Sequence, residues 1–588
     1  MAQKQGHLRL LAAHDVEGGG YAGSTADLYL EIQPGKGRVF LETFPLTRID
    51  TQIATRTAQE IACNVVDYDC SQYDFIYTIK SQSSIIGGPS AGAATALLTI
   101  SMLTGKDLRD DMAITGTINS HGLIGPVSGL KPKIEAASVS GITTVLVPQR
   151  FVKDTINATN TSDLVEYGKS LGVTVIEVTD INQAMYYMSG SYLEAENATI
   201  DIDTSYQETM RKLSDDLCSR SEKLLNETSP SSSKDLIEVS NQAKNLSSLG
   251  LGAYQKNDYY SSASFCFGAN VKYLYLYLQQ KNSNSEEYHK MANYVMTNIL
   301  KLDAETDQKE IKTITDLESY MAVKERLEDA IRYVNISTSA KTDTDKFYAL
   351  AYANERLYSA YSWYSFFDHR GKEFVINNAL MKDSCQNVLL EVEERLQYLN
   401  LIFPDYPSDV SKELDEAYVE LERGRYPLCL FKASKAKAEV DVPLNSMGVG
   451  LDNLKEYAQK KLTVAKSSIA HEASKGVFPI LGYSYYEYAR TLSVSDPYSS
   501  LLYSEYALEL SNLDVYFHER GKAPALIQTD GDQQNVISFV IIFISGLGIG
   551  YIVAQLIRSR KEKELIIPIS KKKNKKRVNN EQENKKNR

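Results

Sequence analysis

Residues 84–102, "SIIGGPSAGAATALLTISM", contain the motif that decides the fold of the N-terminal part of this chain. At its centre, Gly88, Ser90 and Gly92 satisfy the pattern G-x-S-x-G, in which a serine nucleophile occupies a sharp turn between a strand and a helix. The preceding segment "DFIYTIKS" is typical of a strand, and "AATALLTISM" has the apolar character of a buried helix. The stretch therefore predicts a strand, a turn at Ser90 and a helix from about Ala91.

Residues 1–190 are expected to form one α+β domain around this motif. The segments "ADLYLEI" and "GRVFLETF" flank the turn "QPGKG", which predicts a hairpin, and "TGTINSHGLIGPVSG" predicts a second one. Helices are predicted at "DTQIATRTAQEIACNVV" and at "PKIEAASVSG", where Gly141 ends the helix. Two buried strands are predicted at "ITTVLVP" and "GVTVIEV".

Residues 191–530 have almost entirely helical spacing of apolar residues, and tyrosine is abundant there. The segment "ARTLSVSDPYSSLLYSEYALEL" is the closest to a tetratricopeptide-like helix pair. Because no fixed period emerges, the expected architecture is an all-α helical bundle or an irregular solenoid. We interpret the stripe Tyr358, Tyr361 and Tyr364 as packing between helices rather than as a ligand-stacking surface.

Residues 536–557, "VISFVIIFISGLGIGYIVAQLI", contain no Asp, Glu, Lys or Arg. At about 1.5 Å per residue this segment reaches roughly 33 Å, enough to cross a bilayer core of about 30 Å, which predicts one C-terminal transmembrane helix. Residues 558–588 hold 13 Lys or Arg against 4 Asp or Glu, a net charge of +9. Since the whole chain carries −11, residues 1–557 carry −20, and the basic tail is predicted to be cytoplasmic.

This topology predicts a single-pass cell-membrane protein whose folded domains are extracytoplasmic, with the lipid bilayer as a partner and no nucleic acid. Such a domain needs an export signal, and residues 1–20 contain no apolar stretch of adequate length. Either a signal has been trimmed, which is the favoured interpretation, or the protein is tail-anchored and faces inward.

The composition, 43% hydrophobic and 24% charged, is that of an ordinary globular protein, and 588 residues suggest about two to four folded units. The six cysteines include no C-x-x-C pair, which argues against a zinc ribbon, while their even number permits three disulfides. No cofactor and no metal site is predicted.

A serine nucleophile needs a base, and the sequence offers histidine poorly. Within residues 91–190 the only histidine is His121, where a solvated hairpin turn is expected. Lysine is the alternative base, and Lys131 and Lys133 in "SGLKPKIEAA" lie at the start of a predicted helix. Burial and a helix N-terminus both lower a lysine pKa, and neutrality near pH 8 requires a fall of about 2.5, or roughly 3.4 kcal/mol.

The segment "GGPSAGAATALL", followed by "AITGTINSHGLIGPVSGLKPKIEAASVSGITTVLVP", resembles the proteolytic domain of Lon proteases. The resemblance is closest to archaeal membrane-associated Lon-like serine proteases that lack an ATPase domain, and it covers roughly residues 15–180. It implies a Lon-protease-like fold, Ser90 as nucleophile, and Lys133, 43 residues further on, as its base. It also implies that Thr115 helps to hold the lysine, and it raises the possibility of a ring of six copies.

The expected chemistry follows from these residues. Ser90 Oγ attacks a peptide carbonyl, and neutral Lys133 accepts its proton and returns it to the leaving amine. Backbone N–H groups at the start of the helix, including that of Ala91, hold the oxyanion. Gly88 and Pro89 shape the tight turn and let a substrate backbone approach.

Two features depart from the Lon pattern. Many Lon enzymes carry an acidic residue three positions before the serine, whereas this chain has Gly87 there. The sequence also contains no G-x-x-x-x-G-K-[ST] motif, and hence no Walker A phosphate loop. We therefore expect ATP-independent cleavage of peptides or unstructured protein segments.

The predicted function is a membrane-anchored serine endopeptidase with a Ser-Lys dyad. The alternative is a cell-surface scaffold or binding protein whose helical region is the working part and whose protease-like domain is inactive or cleaves only itself. The presence of both Ser90 and Lys133 favours the enzyme.

Overall fold

The structure is a computed structural model. It describes residues 5–15, 21–44, 46–81, 88–118, 122–125, 127–149, 161–193, 199–229, 233–281, 285–368, 373–374, 377–403, 410–446 and 449–511. All of these residues belong to one compact unit.

The N-terminal elements are organised by a mixed sheet. Its strands are β1 (Gln5–Asp15), β2 (Tyr21–Pro34), β3 (Val39–Phe44), β4 (Tyr73–Ser81), β5 (Met112–Ile114), β6 (Thr117–Ile118), β7 (Ile124–Gly125), β8 (Thr144–Pro148) and β9 (Thr174–Val178). Seven of them form one sheet in the order β3-β4-β2-β1-β5-β8-β9, while β6 and β7 pair separately as the predicted second hairpin. Four pairs are parallel: β3 with β4, β1 with β5, β5 with β8, and β8 with β9. Strand β5 lies between β1 and β8, so its carboxyl end is at an interior position of the sheet.

Five helices accompany the sheet: α1 (Ile49–Val65), α2 (Gly92–Thr104), α3 (Leu130–Val139), α4 (Thr161–Ser170) and α5 (Ile181–Ser189). Helix α2 is buried over almost its whole length, as its apolar sequence predicts. Its threonines fit this environment because the hydroxyls of Thr95 and Thr99 donate to the carbonyl oxygens of Ala91 and Thr95, at 2.9 and 2.7 Å. The predicted helices and buried strands of this region are therefore confirmed.

The predicted hairpin across "QPGKG" is wrong, because β4 lies between β2 and β3. The turn crosses the start of β4 instead: the Gly35 N–H donates to the Gln72 carbonyl oxygen at 2.8 Å. The buried carboxylate of Asp74 accepts from the Arg38 N–H at 3.1 Å and also pairs with the Arg38 guanidinium. These contacts send β3 to the far side of β4, where it runs parallel to it.

The antiparallel partner of β2 is β1, a strand that was not predicted. The two strands pair antiparallel from Gln5 opposite Glu31 to Asp15 opposite Tyr21. Leu8 and Leu10 of β1 are buried, so this strand places an apolar row in the domain core.

The chain changes to helices after α5. Twelve helices are described from there on: α6 (Thr204–Glu227), α7 (Lys234–Tyr254), α8 (Tyr259–Gln280), α9 (Ser285–Asp307), α10 (Ile314–Ser339), α11 (Asp343–Tyr364), α12 (Asn378–Ile402), α13 (Val410–Glu422), α14 (Tyr426–Asn445), α15 (Leu454–Ser474), α16 (Ile480–Leu492) and α17 (Pro497–Ser511). They share one large apolar core. The predicted order, a mixed α/β part followed by a helical part, is therefore confirmed, while the domain limits 1–190 and 191–530 remain predictions.

The tyrosine stripe of α11 divides between core and surface. Tyr364 packs against the helical core, as predicted. Tyr358 and Tyr361 are instead 40% and 38% exposed, and the Arg220 guanidinium lies 4.1 Å from the centre of the Tyr358 ring. Packing between helices therefore accounts for Tyr364 better than for the other two.

All six cysteines are paired. The disulfides join Cys63 to Cys70, Cys218 to Cys266, and Cys385 to Cys429. The first closes the end of α1, the second links α6 to α8, and the third links α12 to α14. The sequence allowed this outcome without specifying the pairs.

The expectation of a membrane-spanning helix requires correction. Across the described residues, every helix is too short or too polar to cross a bilayer. The segment 536–557 and the tail 558–588 lie outside the described residues. The predicted transmembrane helix and the predicted single-pass location in the cell membrane are therefore not supported.

Candidate active site

Ser90 lies on a tight turn that leads into α2. Residues Pro89–Ala91 form a single 3-10 turn, and α2 follows at Gly92. Gly88, directly before the turn, has φ 96° and ψ 149°, a backbone conformation that residues other than glycine rarely adopt. Pro89 suits the first position of a helical turn, where an N–H would have no partner. The half-buried Ser90 thus lies on a turn whose shape depends on its glycine and proline.

Backbone hydrogen bonds fix this turn to the segment after β5. The Gly116 N–H donates to the Ser90 carbonyl oxygen at 3.0 Å, and the Ala93 N–H donates to the Gly116 carbonyl oxygen at 3.1 Å. On the other side, the Thr51 hydroxyl of α1 donates to the Gly88 carbonyl oxygen at 3.4 Å. The turn that carries Ser90 is therefore held between the segment after β5 and α1.

Lys133 lies in the first turn of α3, as the sequence predicted. Its N–H donates to the Gly129 carbonyl oxygen at 3.1 Å. This turn lies directly against β2, where a Cβ on Gly23 would come within 1.8 Å of the Pro132 carbonyl oxygen. The close approach leaves Lys133 only 3% exposed. A side chain at Gly23 would push α3 away and open the site to water.

Burial lowers the pKa of Lys133 from 10.5 to about 8. Its Nζ donates to Thr115 Oγ1 at 2.9 Å, and Thr115 is itself fully buried. No carboxylate forms an ion pair with Lys133 among the described residues. A large fraction of Lys133 is therefore neutral near pH 8, and a neutral amine can accept a proton.

Thr115 connects the two candidate residues. It follows β5 directly, and its N–H donates to the Leu146 carbonyl oxygen of β8 at 3.1 Å. Its hydroxyl accepts from Lys133 Nζ and donates to the Ser90 carbonyl oxygen at 3.5 Å, a pair of roles that one hydroxyl can combine. Within the described residues no hydrogen bond joins Lys133 Nζ to Ser90 Oγ directly. The structure thus brings Ser90, Thr115 and Lys133 together, with the threonine between the other two.

The other bases considered from the sequence take different positions. Lys131 is directed toward α4, with its Nζ 5.2 Å from the centre of the Tyr167 ring. His121 and Gly87 lie outside the described residues. The part of the chain that is described contains no group of three or more His, Cys, Asp or Glu side chains suited to a metal ion.

Three contributors to the site had no place in the sequence-based prediction. Gly116 exchanges hydrogen bonds with the Ser90 segment, Thr51 holds the carbonyl of Gly88, and Gly23 admits α3. Gly116 carried a signal, because a glycine inside a strand pattern indicates close backbone approach. The other two act across the fold, over distances in sequence that a local pattern does not reveal.

A half-buried serine before a helix, joined through a threonine to a buried lysine, is typical of hydrolases in which lysine assists a serine nucleophile. The comparison with known proteins agrees with this class. Residues 78–183 match the Lon protease (S16) C-terminal proteolytic domain. Over these residues the chain is thus similar to a Lon-type proteolytic domain.

Individual relatives match over short stretches of the chain. The chain is 42% identical over 82 residues to Lon protease 1 of Herpetosiphon aurantiacus, which is 14% of this chain and 10% of that protein. It is 36% identical over 126 residues to the Lon protease of Paraburkholderia phytofirmans, 21% of this chain and 16% of the relative. With the Lon protease of Haemophilus influenzae it shares 51% identity over 67 residues, 11% and 8% of the two chains.

The chain therefore spans less than a fifth of the length of each of these curated relatives. All three are bacterial Lon proteases, and the predicted closer similarity to archaeal membrane-associated proteases is not confirmed. The similarity concerns the proteolytic domain, and the helical region lies outside the matched residues 78–183.

Proposed function

We propose that this protein is a serine endopeptidase in which Ser90 is the nucleophile and Lys133 is the general base. The observation that carries this proposal is a buried lysine, Lys133, for which the described residues supply no carboxylate partner. Burying a charged lysine without an anionic partner costs stability, so its presence in a folded domain indicates a functional role.

The other buried lysines of the chain provide the contrast. Five lysines are buried in the described part, and four of them form ion pairs with carboxylates: Lys324, Lys432, Lys437 and Lys461. The fifth is Lys133, whose Nζ meets a threonine hydroxyl. The carboxylates beside these four lysines compensate for their buried charge, whereas burial lowers the pKa of Lys133 to about 8, so that it reaches near this pH the neutral state that proton transfer requires.

In the proposed reaction, Ser90 Oγ attacks the peptide carbonyl and its proton passes to the neutral amine of Lys133. The same proton then passes to the departing amine, and water attacks the acyl-enzyme in a second step of the same kind. Thr115 orients Nζ toward the serine. The N–H of Ala91, in the turn before α2, is a candidate donor to the oxyanion, while Gly88 and Pro89 fix the turn that presents Ser90.

We further propose that cleavage needs no nucleotide and acts on peptides or unstructured segments. The support is the lack of a Walker A motif in the sequence. Without a motor to unfold it, a stable folded protein does not present an extended segment to Ser90. Assembly into a ring of six remains a prediction from the resemblance alone.

The test uses the full chain with an unfolded protein, such as casein, as substrate. Wild type should release peptides equally well with and without ATP and Mg²⁺, whereas Ser90→Ala and Lys133→Ala should release none. A peptide boronate should form an adduct on Ser90 that mass spectrometry detects. Equal cleavage by wild type and Ser90→Ala would refute the proposal.

The same experiment addresses the alternative, a scaffold or binding protein with an inactive protease domain. Failure of wild type to cleave casein, to react with the boronate or to process itself would favour that alternative. Cleavage that depends on ATP would instead overturn only the nucleotide-independent part of the proposal.

A further inference from the structure

Helix α1 contacts both the turn that carries Ser90 and the helical region. At its N-terminal end, the Thr51 hydroxyl donates to the Gly88 carbonyl oxygen. Nine residues later on the same helix, Glu60 contacts two cations of the helical region. Lys437 of α14 donates to Glu60 Oε1 at 3.2 Å, and the Arg395 guanidinium of α12 lies 3.7 Å from Glu60 Oε2.

The cations that hold Glu60 are themselves almost buried. The side chains of Lys437 and Arg395 are 10% and 9% exposed. Lys437 also pairs with Glu391 at 3.0 Å and with Glu509 at 3.3 Å, and Arg395 pairs with Asp441. Both cations therefore have carboxylate partners within the helical region, and Glu60 of α1 is a further partner of each.

Burial of Glu60 acts to raise its pKa, but Lys437 and Arg395 together keep it below the usual value. Glu60 is thus an anion held at the edge of a cluster of low exposure, where charge pairs are screened less than at the surface. The nearby pair of Arg56 and Glu394, at 3.5 Å, is largely exposed and contributes little by comparison.

We propose that α1 couples the helical region to the active site, with Glu60 as the positioning residue. In this arrangement Lys437 and Arg395 fix the place of α1, and α1 in turn fixes the Gly88 end of the turn that carries Ser90. The inference rests on the proposed function of Ser90. It gives the helical region a task in catalysis, since any partner that shifts α12 or α14 changes the position of the nucleophile.

The central experiment compares Glu60→Gln with two matched controls. Glu391→Gln removes a carboxylate from the same Lys437 without touching α1, and Arg56→Ala removes an exposed ion pair from α1 itself. For Glu60→Gln we expect kcat on casein to fall about tenfold with KM within about twofold, because misplacement of a reacting group slows chemistry more than binding. Both controls should remain within about twofold of wild type.

Hydrogen exchange provides a readout that needs no catalysis. In Glu60→Gln, amides of residues 49–65 and 88–93 should exchange faster, whereas residues 426–445 should remain as protected as in wild type. The pH at which cleavage reaches half its maximum should stay near 8, since Lys133 keeps its surroundings.

Two results would overturn the coupling. One is a Glu60→Gln variant with wild-type kcat and wild-type exchange at residues 88–93. The other is an equal loss in Glu391→Gln, which would mean that general damage to the cluster explains the effect. If wild type does not cleave at all, the proposed peptidase function fails, and the exchange of residues 88–93 still decides whether α1 couples the two regions.

Discussion

Replacing Lys133 with methionine should abolish cleavage and, at neutral pH, make the active-site region more stable. Burial lowers the pKa of Lys133 from 10.5 to about 8. A difference of this size between folded and unfolded chain corresponds to about 3 kcal/mol. Methionine fills a similar volume without a charge, so the variant escapes this cost.

The pH dependence has a definite sign. Below pH 8 Lys133 is protonated in both states, so the full cost of burying its charge is present. Between pH 8 and 10.5 the folded chain has lost the proton while the unfolded chain keeps it, and stability therefore rises with pH. Above pH 10.5 both states are neutral and the cost disappears.

The variant also loses the hydrogen bond from Nζ to Thr115, which offsets the gain by about 1 kcal/mol. We therefore expect Lys133→Met to raise the free energy of opening the α3 region by about 2 kcal/mol at pH 7. At pH 9 the stability difference between Lys133→Met and wild type should be smaller by about 1 kcal/mol, because Lys133 of folded wild type is by then mostly neutral.

A chain of this size with separate folded regions is not expected to unfold in one step, so the measurement must be local. Hydrogen exchange of residues 130–139, corrected for the intrinsic exchange rate at pH 7 and pH 9, reports this local free energy. Lys131→Met is the matched control, since Lys131 lies on α3 with Lys133 while its ammonium lies over the ring of Tyr167 in α4. Faster exchange in Lys133→Met than in wild type at pH 7 would contradict a buried, unpaired ammonium.

Three further outcomes are expected. Thr115→Asp sets a carboxylate against Lys133, which should raise the lysine pKa and reduce casein cleavage at pH 8 by about tenfold or more, while Thr115→Ser keeps most of the activity. Gly88→Ala should reduce cleavage without changing helical content by circular dichroism, because φ 96° strains any residue with a Cβ, and full activity would contradict the described turn. Burial raises the pKa of Glu318 to about 8, so the local stability of α10 should fall as pH rises from 4.5 to 8; hydrogen exchange of residues 314–339, corrected for the intrinsic rate, should show this fall in wild type and not in Glu318→Gln.

The features that were predicted from the sequence are those with a local cause. The turn at Ser90 follows from glycine and proline beside an apolar run, and α3 begins where Pro132 fits a first helical turn. His121 is disfavoured because a solvated turn is expected there, and a lysine near a helix start is favoured because its pKa falls. The choice of Lys133 over Lys131 depends on the resemblance to Lon proteases, which extends over a much longer stretch.

The features that were missed depend on contacts between distant segments. The turn "QPGKG" has the composition of a hairpin, and what diverts it is the buried Asp74, more than thirty residues later. The same holds for Gly23 against Pro132, and for the disulfide partners, since six cysteines allow about fifteen pairings. The transmembrane helix at 536–557 was predicted from the apolar composition of that segment and the basic residues after it, and none of the described helices can span a membrane.

Burial alone does not explain why Lys133 can act as a base. Lys437 is also almost buried, yet its three carboxylate partners outweigh burial and raise its pKa well above the ordinary value. Lys133 has a similar degree of burial, its partner among the described residues is the Thr115 hydroxyl, and its pKa falls to about 8. The fold thus uses one residue type in two ways, and the partner decides which. At Lys437 the charge is kept and holds α1 through Glu60, whereas at Lys133 the charge is discouraged, which leaves the amine ready to take the proton of Ser90.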